Sequence, residues 1–335
     1  MPLNPDAKRL LGLMSAVGGN FAIRPTPAER RQAFRNLAAS VAGARPAVRA
    51  VNSITISGPG GPLKLRIYMP MSVEHSLYPA LIYLHGGWVT GDLDSYDTVC
   101  CHLANSAGCC VLAVDYRLAP EYKFPCALED ATAAVTWLAA HGPDLDIDAD
   151  RIGIAGDSAG ANLVAGVCRR MRGGAVALKL QLMLCPLLDA VGDTESRRTF
   201  SHGYFLDKAA IDDDFLHYCP VGFDYLDPRV SPARAADFSG LPPAHIHTAE
   251  FDPVRDEGRF YAEQLAAAGV PVTYHCHAGM IHHFYGMAGV ISAAVAILRD
   301  AGSAIGAAFG RHTCVQLRPS EPVNSLRELS GTFTV

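Results

Sequence analysis

The rhythm of apolar and polar positions changes twice in the first third of the chain. Residues 1–45 read as helical, first in "AKRLLGLMSAV" and then in "TPAERRQAFRNLAASVAG". The second stretch opens with Thr26, then Pro27 at the first helical position and Glu29 in the first turn, a combination that predicts a helix start. Residues 50–69 alternate and turn at "SGPGG", which predicts a hairpin. From "YPALIYLHGG" onward, short apolar runs such as "CCVLAVDYR", "RIGIAGDSAG", "KLQLMLCP" and "PVTYHCHAG" alternate with helical stretches such as "ALEDATAAVTWLAAHG" and "RFYAEQLAAAGV". Strand–helix–strand alternation predicts an α/β protein with a mostly parallel central sheet flanked by helices on both faces.

The alternation breaks between Leu187 and Arg234, where the chain turns polar, aromatic and acidic, with "FLDKAAIDDDFLHY" as a short helix. Residues 188–234 therefore read as an insertion over one end of the sheet. They divide a main domain made of residues 46–187 and 235–310. The last stretch, 311–335, has no clear period and is expected to be a poorly ordered tail.

Composition narrows the function classes. Half of the 335 residues are hydrophobic, 50%, and 18% are charged, which marks a globular protein with a substantial core. A formal net charge of -5 lacks the basic face that nucleic acid requires. No apolar run reaches transmembrane length. The first residues carry Asp6 and only a short apolar patch, unlike a signal peptide, so an ordinary helix is expected there. The ten cysteines include the vicinal pairs Cys100–Cys101 and Cys109–Cys110 but no C-x-x-C. They are expected to be buried thiols in a reducing cytoplasm, with no zinc site and no disulfide framework.

The chemistry concentrates around "RIGIAGDSAGANLVAGV". Ser158 lies between Gly156 and Gly160 in G-x-S-x-G spacing, where a strand gives way to a helix. A serine on such a turn has a strained backbone and needs small neighbours two residues away. The turn exposes the hydroxyl at a helix N-terminus, and the amide of Ala159 can donate to an oxyanion. An incidental serine in a glycine-rich turn is the alternative; the flanking strand and helix favour a nucleophile. A serine needs a base, and the base an orienting acid. Asp252 follows a predicted strand in "HIHTAEFDPVRDEG"; its rival Asp256 is better suited to a helix start. "TYHCHAGMIHHFYG" offers His282 and His283 after the last strand, with His275 and His277 inside it.

Five stretches together give the chain a family likeness: "LHGG" at Leu84–Gly87, "DYRLAPEYKFP" at Asp115–Pro125, "GDSAG" at Gly156–Gly160, "EFDPVRDEG" at Glu250–Gly258 and "GMIHHF" at Gly279–Phe284. The sequence resembles the bacterial branch of the hormone-sensitive lipase family of α/β-hydrolase esterases, from about Pro5 to Phe309. The resemblance implies Ser158 as nucleophile, Asp252 as acid and His282 as base. It also implies esters of short to medium acyl chain as substrates, no cofactor, and a cap built from the N-terminal helices (1–45) and the insertion (188–234). A homodimer through the exposed edge of the last strand is a further implication. Tyr116 and Arg117 look structural in the family. Asp157 belongs to the family pattern; a support role near the cap is expected of it, and with Trp88 it is counted among the substrate-binding residues.

Two departures stand out. Family members carry H-G-G-G before an aromatic residue, whereas this chain reads "HGGWVTG", one residue short. Gly86 and Gly87, with Ala159, are expected to supply the oxyanion amides, and Trp88 to move one step closer to the substrate. A lost donor typically lowers kcat by roughly 10²–10³, so weaker catalysis is expected. In addition, His283 stands where relatives carry glycine. His245, His247, His275 and His277 share one face of two neighbouring strands; four imidazoles could hold a metal, but no carboxylate or cysteine ligand pattern accompanies them, and core or interface histidines are expected. Two functional alternatives stay open: a ligand-binding member of the same fold, as in plant hormone receptors that lose the base, and an amidase or promiscuous hydrolase with the same triad.

Overall fold

The structure is a computed structural model that describes residues 1–17, 25–72 and 77–310. In chain order its elements are helices α1 (Pro5–Val17) and α2 (Pro27–Val41), strands β1 (Ala50–Gly58), β2 (Gly61–Met69) and β3 (Tyr78–Leu84), then α3 (Asp97–Ala107), β4 (Cys110–Val114), α4 (Cys126–His141), β5 (Ile147–Asp157), α5 (Ala159–Met171) and β6 (Gln181–Leu184). Helices α6 (Glu195–Thr199) and α7 (Lys208–Tyr218) follow, then β7 (Ala244–Phe251), α8 (Arg255–Ala267), β8 (Val272–Ile281) and α9 (Ala293–Ala308). The strands form one sheet in the order β1-β2-β4-β3-β5-β6-β7-β8. The pairs β1–β2 and β2–β4 are antiparallel and the remaining pairs are parallel.

Side-chain alternation along the strands divides the core between the two faces of the sheet. In β3, Ala80, Ile82 and Leu84 pack into one cluster, while Leu81 and Tyr83 pack into the other. Every residue of β3 is buried, as its continuous apolar spelling anticipates for a central parallel strand. Parallel pairing brings the C-terminal ends of β3, β5, β6, β7 and β8 to one edge of the sheet, where ligands of open α/β sheets sit. The glycine loop, Ser158, Asp252 and His282 all follow those ends.

The helix predicted at Thr26 begins there with a capping box. Thr26 Oγ1 accepts the Glu29 amide at 3.3 Å, and the Thr26 amide donates to Glu29 Oε2 at 2.7 Å. Arg30 ties α2 to α7 through Asp213 and Asp214. Arg31 reaches the carbonyl of Val89 at 2.8 Å, next to the glycine loop. The predicted break after Leu187 holds α6, α7 and long connections. Beneath it Arg197 and Glu257 form a buried ion pair. The cysteines among the described residues are free thiols, mostly buried; Cys276 is exposed. No helix among the described residues is long and apolar enough to cross a membrane. The expected tail, 311–335, lies outside the described residues.

Candidate active site

Ser158 occupies a tight turn between β5 and α5, with φ 50° and ψ -117°. This is a left-handed conformation rarely adopted by residues with a side chain. The flanking glycines follow from close backbone approach. A Cβ on Gly160 would lie 2.0 Å from the Leu84 carbonyl oxygen, and one on Gly156 would lie 2.6 Å from that of Gly160. The Ser158 amide donates to the Leu184 carbonyl at 2.9 Å, anchoring the turn to the end of β6. Ala159 begins α5, where the first amides have no acceptor within the helix.

Three residues from separate strand ends form a hydrogen-bonded row. His282 Nδ1 lies 2.7 Å from Asp252 Oδ2, and His282 Nε2 lies 3.0 Å from Ser158 Oγ. An ionised carboxylate can only accept, so Nδ1 carries the proton and Nε2 is left to accept the serine hydroxyl hydrogen. Asp252 is fully buried and also accepts the Val254 amide at 3.0 Å. The rival Asp256 lies in the first turn of α8, accepting the Ser196 amide at 2.8 Å and pairing with Arg255. It takes no part in the row. Among the described residues, the one group of three or more His, Cys, Asp and Glu residues with ligand atoms within 4.8 Å of each other is Cys185, Asp252 and His282.

The structure departs from the sequence expectation at three residues, two of them in the glycine loop. The Gly86 amide donates to Asp157 Oδ1 at 2.9 Å, so it is committed inside the protein and is corrected from the set of oxyanion donors. Gly87, at φ 71° and half-buried, keeps its amide without a partner among the described residues, and so does Trp88. Gly87 also turns the loop back, its carbonyl accepting the Thr90 and Gly91 amides at 2.9 and 2.7 Å. The Trp88 side chain is a second correction. It is fully buried, stacked on Tyr218 with centroids 4.0 Å apart, and edge-on to Phe215. Its indole therefore secures the loop against α7 and presents no surface to a substrate.

Asp157 is the third correction. It is fully buried, and its carboxylate accepts from the Tyr83 hydroxyl at 2.7 Å and from the Tyr96 and Tyr285 hydroxyls, both at 3.0 Å, besides Gly86. Burial raises its pKa to about 6, opposed by these four hydrogen bonds. It is a structural hub, out of reach of a ligand. The three tyrosines come from β3, the segment before α3 and the loop after β8, and no local spacing links them. Tyr116 fills the structural part expected of it: its hydroxyl donates to the His85 carbonyl at 2.6 Å and its ring stacks on His85.

The four strand histidines adjoin as the register anticipates, with His247 opposite His275. His247 Nδ1 and His277 Nε2 are 2.9 Å apart. Burial and the neighbouring imidazoles lower His247 to about 3 and His277 to about 4, so both are neutral at pH 7. Of the four, His247 is buried, His245 and His277 are half-buried and His275 is exposed, so the expectation of core histidines holds for His247 alone. His283, directly after His282, is buried at φ 62°.

A mostly parallel sheet with a serine, a histidine and an aspartate meeting at its strand ends defines the α/β-hydrolase class. A family model described as alpha/beta hydrolase fold matches residues 81–286, and the chain belongs to the hormone-sensitive lipase-like family of that fold. It is 38% identical over 290 residues to the esterase LipI of Mycobacterium tuberculosis, covering 85% of this chain and 89% of the relative. It is 36% identical over 303 residues to an ethyl acetate hydrolase of Pseudomonas putida, covering 88% and 95%. Among solved structures, an ester hydrolase from the metagenome of Lake Arreo, in complex with a bipyridine phosphonate derivative, superposes with a TM-score of 0.89 at 36% identity. That match covers 92% of this chain and 100% of the other.

Proposed function

We propose that this protein hydrolyses carboxylic esters of short to medium acyl chain through a serine nucleophile. The observation that carries the reading is the row Ser158 Oγ–His282 Nε2–Asp252, with contacts of 3.0 and 2.7 Å. His282 takes the proton of Ser158 as the oxygen attacks the ester carbonyl, and Asp252 stabilises the imidazolium that forms. The amides of Gly87, Trp88 and Ala159 receive the negative oxygen of the tetrahedral intermediate. Collapse expels the alcohol, which leaves with the proton from His282. Water, deprotonated by the same imidazole, then releases the acid from the acyl-enzyme. Because Trp88 supplies an amide where Gly86 does not, the shortened loop retains two donors besides Ala159.

In this reading α1, α2 and residues 188–234 form the cap over the strand ends, supported by the Arg30 pairs to α7. The solvent-facing edge of β8 would join two copies into a dimer. An intact base speaks for hydrolysis over simple ligand binding. The test is hydrolysis of p-nitrophenyl esters of increasing chain length beside Ser158→Ala. Turnover by the wild type far above that variant is expected; equal rates would leave a binding function.

A further inference from the structure

His283 follows the base directly, and its backbone, at φ 62°, adopts a conformation suited to glycine. The residue nonetheless carries an imidazole, 5% exposed. That ring has four aromatic neighbours. Tyr96 and Tyr285 have ring centroids at 5.6 and 5.1 Å, and Asp157 Oδ2 is 4.0 Å from His283 Nδ1. Phe34 of α2 lies at 5.6 Å and Phe205, in the connection before α7, at 6.0 Å with the planes 9° apart. Phe205 is itself left-handed, at φ 78°. Two residues with side chains thus hold strained backbones and stack their rings on each other. Backbone strain of this kind is kept where surrounding structure over-determines it, commonly at ligand clamps. Gly286 leaves room for the ring: a Cβ there would lie 2.3 Å from His283 Nε2.

We propose that His283 is a specificity-determining residue, a wedge whose ring fills the space between the base loop and the aromatic side chains of α2 and residues 200–206, and so limits the length of the ester that fits beside Ser158. The inference rests on the esterase reading above. Glycine would satisfy the backbone at this position without strain and leave the volume of an imidazole empty, one residue from His282. Phe34 and Phe205 are only half-buried, so the gap would open onto the space over the strand ends. The ring is neutral, since burial and the nearby His282 lower its pKa to about 3, and it acts by bulk alone.

The experiment compares kcat/KM for p-nitrophenyl octanoate and acetate in the wild type, His283→Gly, His283→Phe and Phe205→Ala. The octanoate-to-acetate ratio should rise at least tenfold in His283→Gly and at least threefold in Phe205→Ala, which removes the ring stacked on His283. In His283→Phe, which keeps a ring, the ratio should stay within twofold of the wild type. A ratio unchanged within twofold in both His283→Gly and Phe205→Ala would overturn the proposal. So would an equal shift in His283→Phe and His283→Gly. If the wild type turned over neither ester above Ser158→Ala, the esterase reading itself would fail, an outcome distinct from an unchanged ratio.

Discussion

Asp157 and Gly86 are joined by a hydrogen bond of 2.9 Å from the glycine amide to the carboxylate, tying the residue before Ser158 to the loop after β3. Geometry at an oxyanion site is set by how firmly its donors are held before the reaction. Here the loop is fixed at Gly86 through Asp157 and at Trp88 through Tyr218, with Gly87 between the two anchors.

This arrangement predicts graded effects at Asp157. In Asp157→Asn the amide oxygen can still accept from Gly86 and Tyr83, while the Tyr96 and Tyr285 hydroxyls turn to accept from the new NH₂. In Asp157→Ala all four donors lose their acceptor, and each buried unsatisfied group costs about 1–3 kcal/mol. Asparagine should lower kcat about tenfold with little change in KM; alanine should lower it by about 10²-fold or more, the scale of a lost oxyanion donor. Steady-state kinetics and thermal melting of the two variants check the order.

Acid lability follows from the neutral histidines. In the folded chain His247 and His277 titrate at about 3 and about 4, below the ordinary 6.5, because burial and neighbouring imidazoles disfavour their charged forms. Above pH 6.5 both are neutral whether folded or not, and they contribute no pH dependence. As pH falls from 6.5 towards 4 the unfolded chain takes up protons first, so stability declines. Asp157, raised by burial to about 6, and Glu257, raised by burial against the pull of Arg197, act in the opposite sense. The histidine share is therefore read as a difference: the drop in Tm between pH 7.5 and pH 5 should be several degrees smaller in His247→Leu/His277→Leu than in the wild type.

Much of the candidate site was legible in the sequence, because the placement of its residues is carried by local spelling. The turn at Ser158 needs glycines two residues to either side, and Asp252 and His282 follow strands whose alternation can be read directly. The parts that escaped depend on distant residues. Gly86 reads as a free loop amide until Asp157 is seen 2.9 Å away. Trp88, expected beside the substrate, turns into the core because Tyr218 of α7, far along the chain, offers it a stacking face. The strain at His283 was signalled by a histidine standing where relatives carry glycine, but its partners Phe34 and Phe205 come from segments with no shared pattern. Arg197 gave no signal, since one arginine within "ESRRTF" looks like its neighbour until one is buried.

That buried arginine makes a separate prediction. Glu257 pairs with Arg197 and accepts the Leu188 and Asp189 amides at 2.8 and 2.9 Å, joining the chain after β6 to α8. Removing one partner of a buried pair leaves an uncompensated charge and typically costs about 3–5 kcal/mol. Arg197→Met should lose stability on that scale in urea unfolding, and Arg197→Met/Glu257→Gln should recover part of it. Equal losses in the two variants would show that packing, not charge, sets the cost.

The central claim, that Ser158 is activated by His282 and attacks the substrate, is tested most directly by covalent capture with an activated phosphonate ester, p-nitrophenyl leaving group included. The account predicts release of one equivalent of p-nitrophenol per chain, a mass increase confined to the peptide carrying Ser158, and labelling slowed by at least 10²-fold in His282→Ala. A label on another residue, or labelling at the wild-type rate without His282, would contradict it.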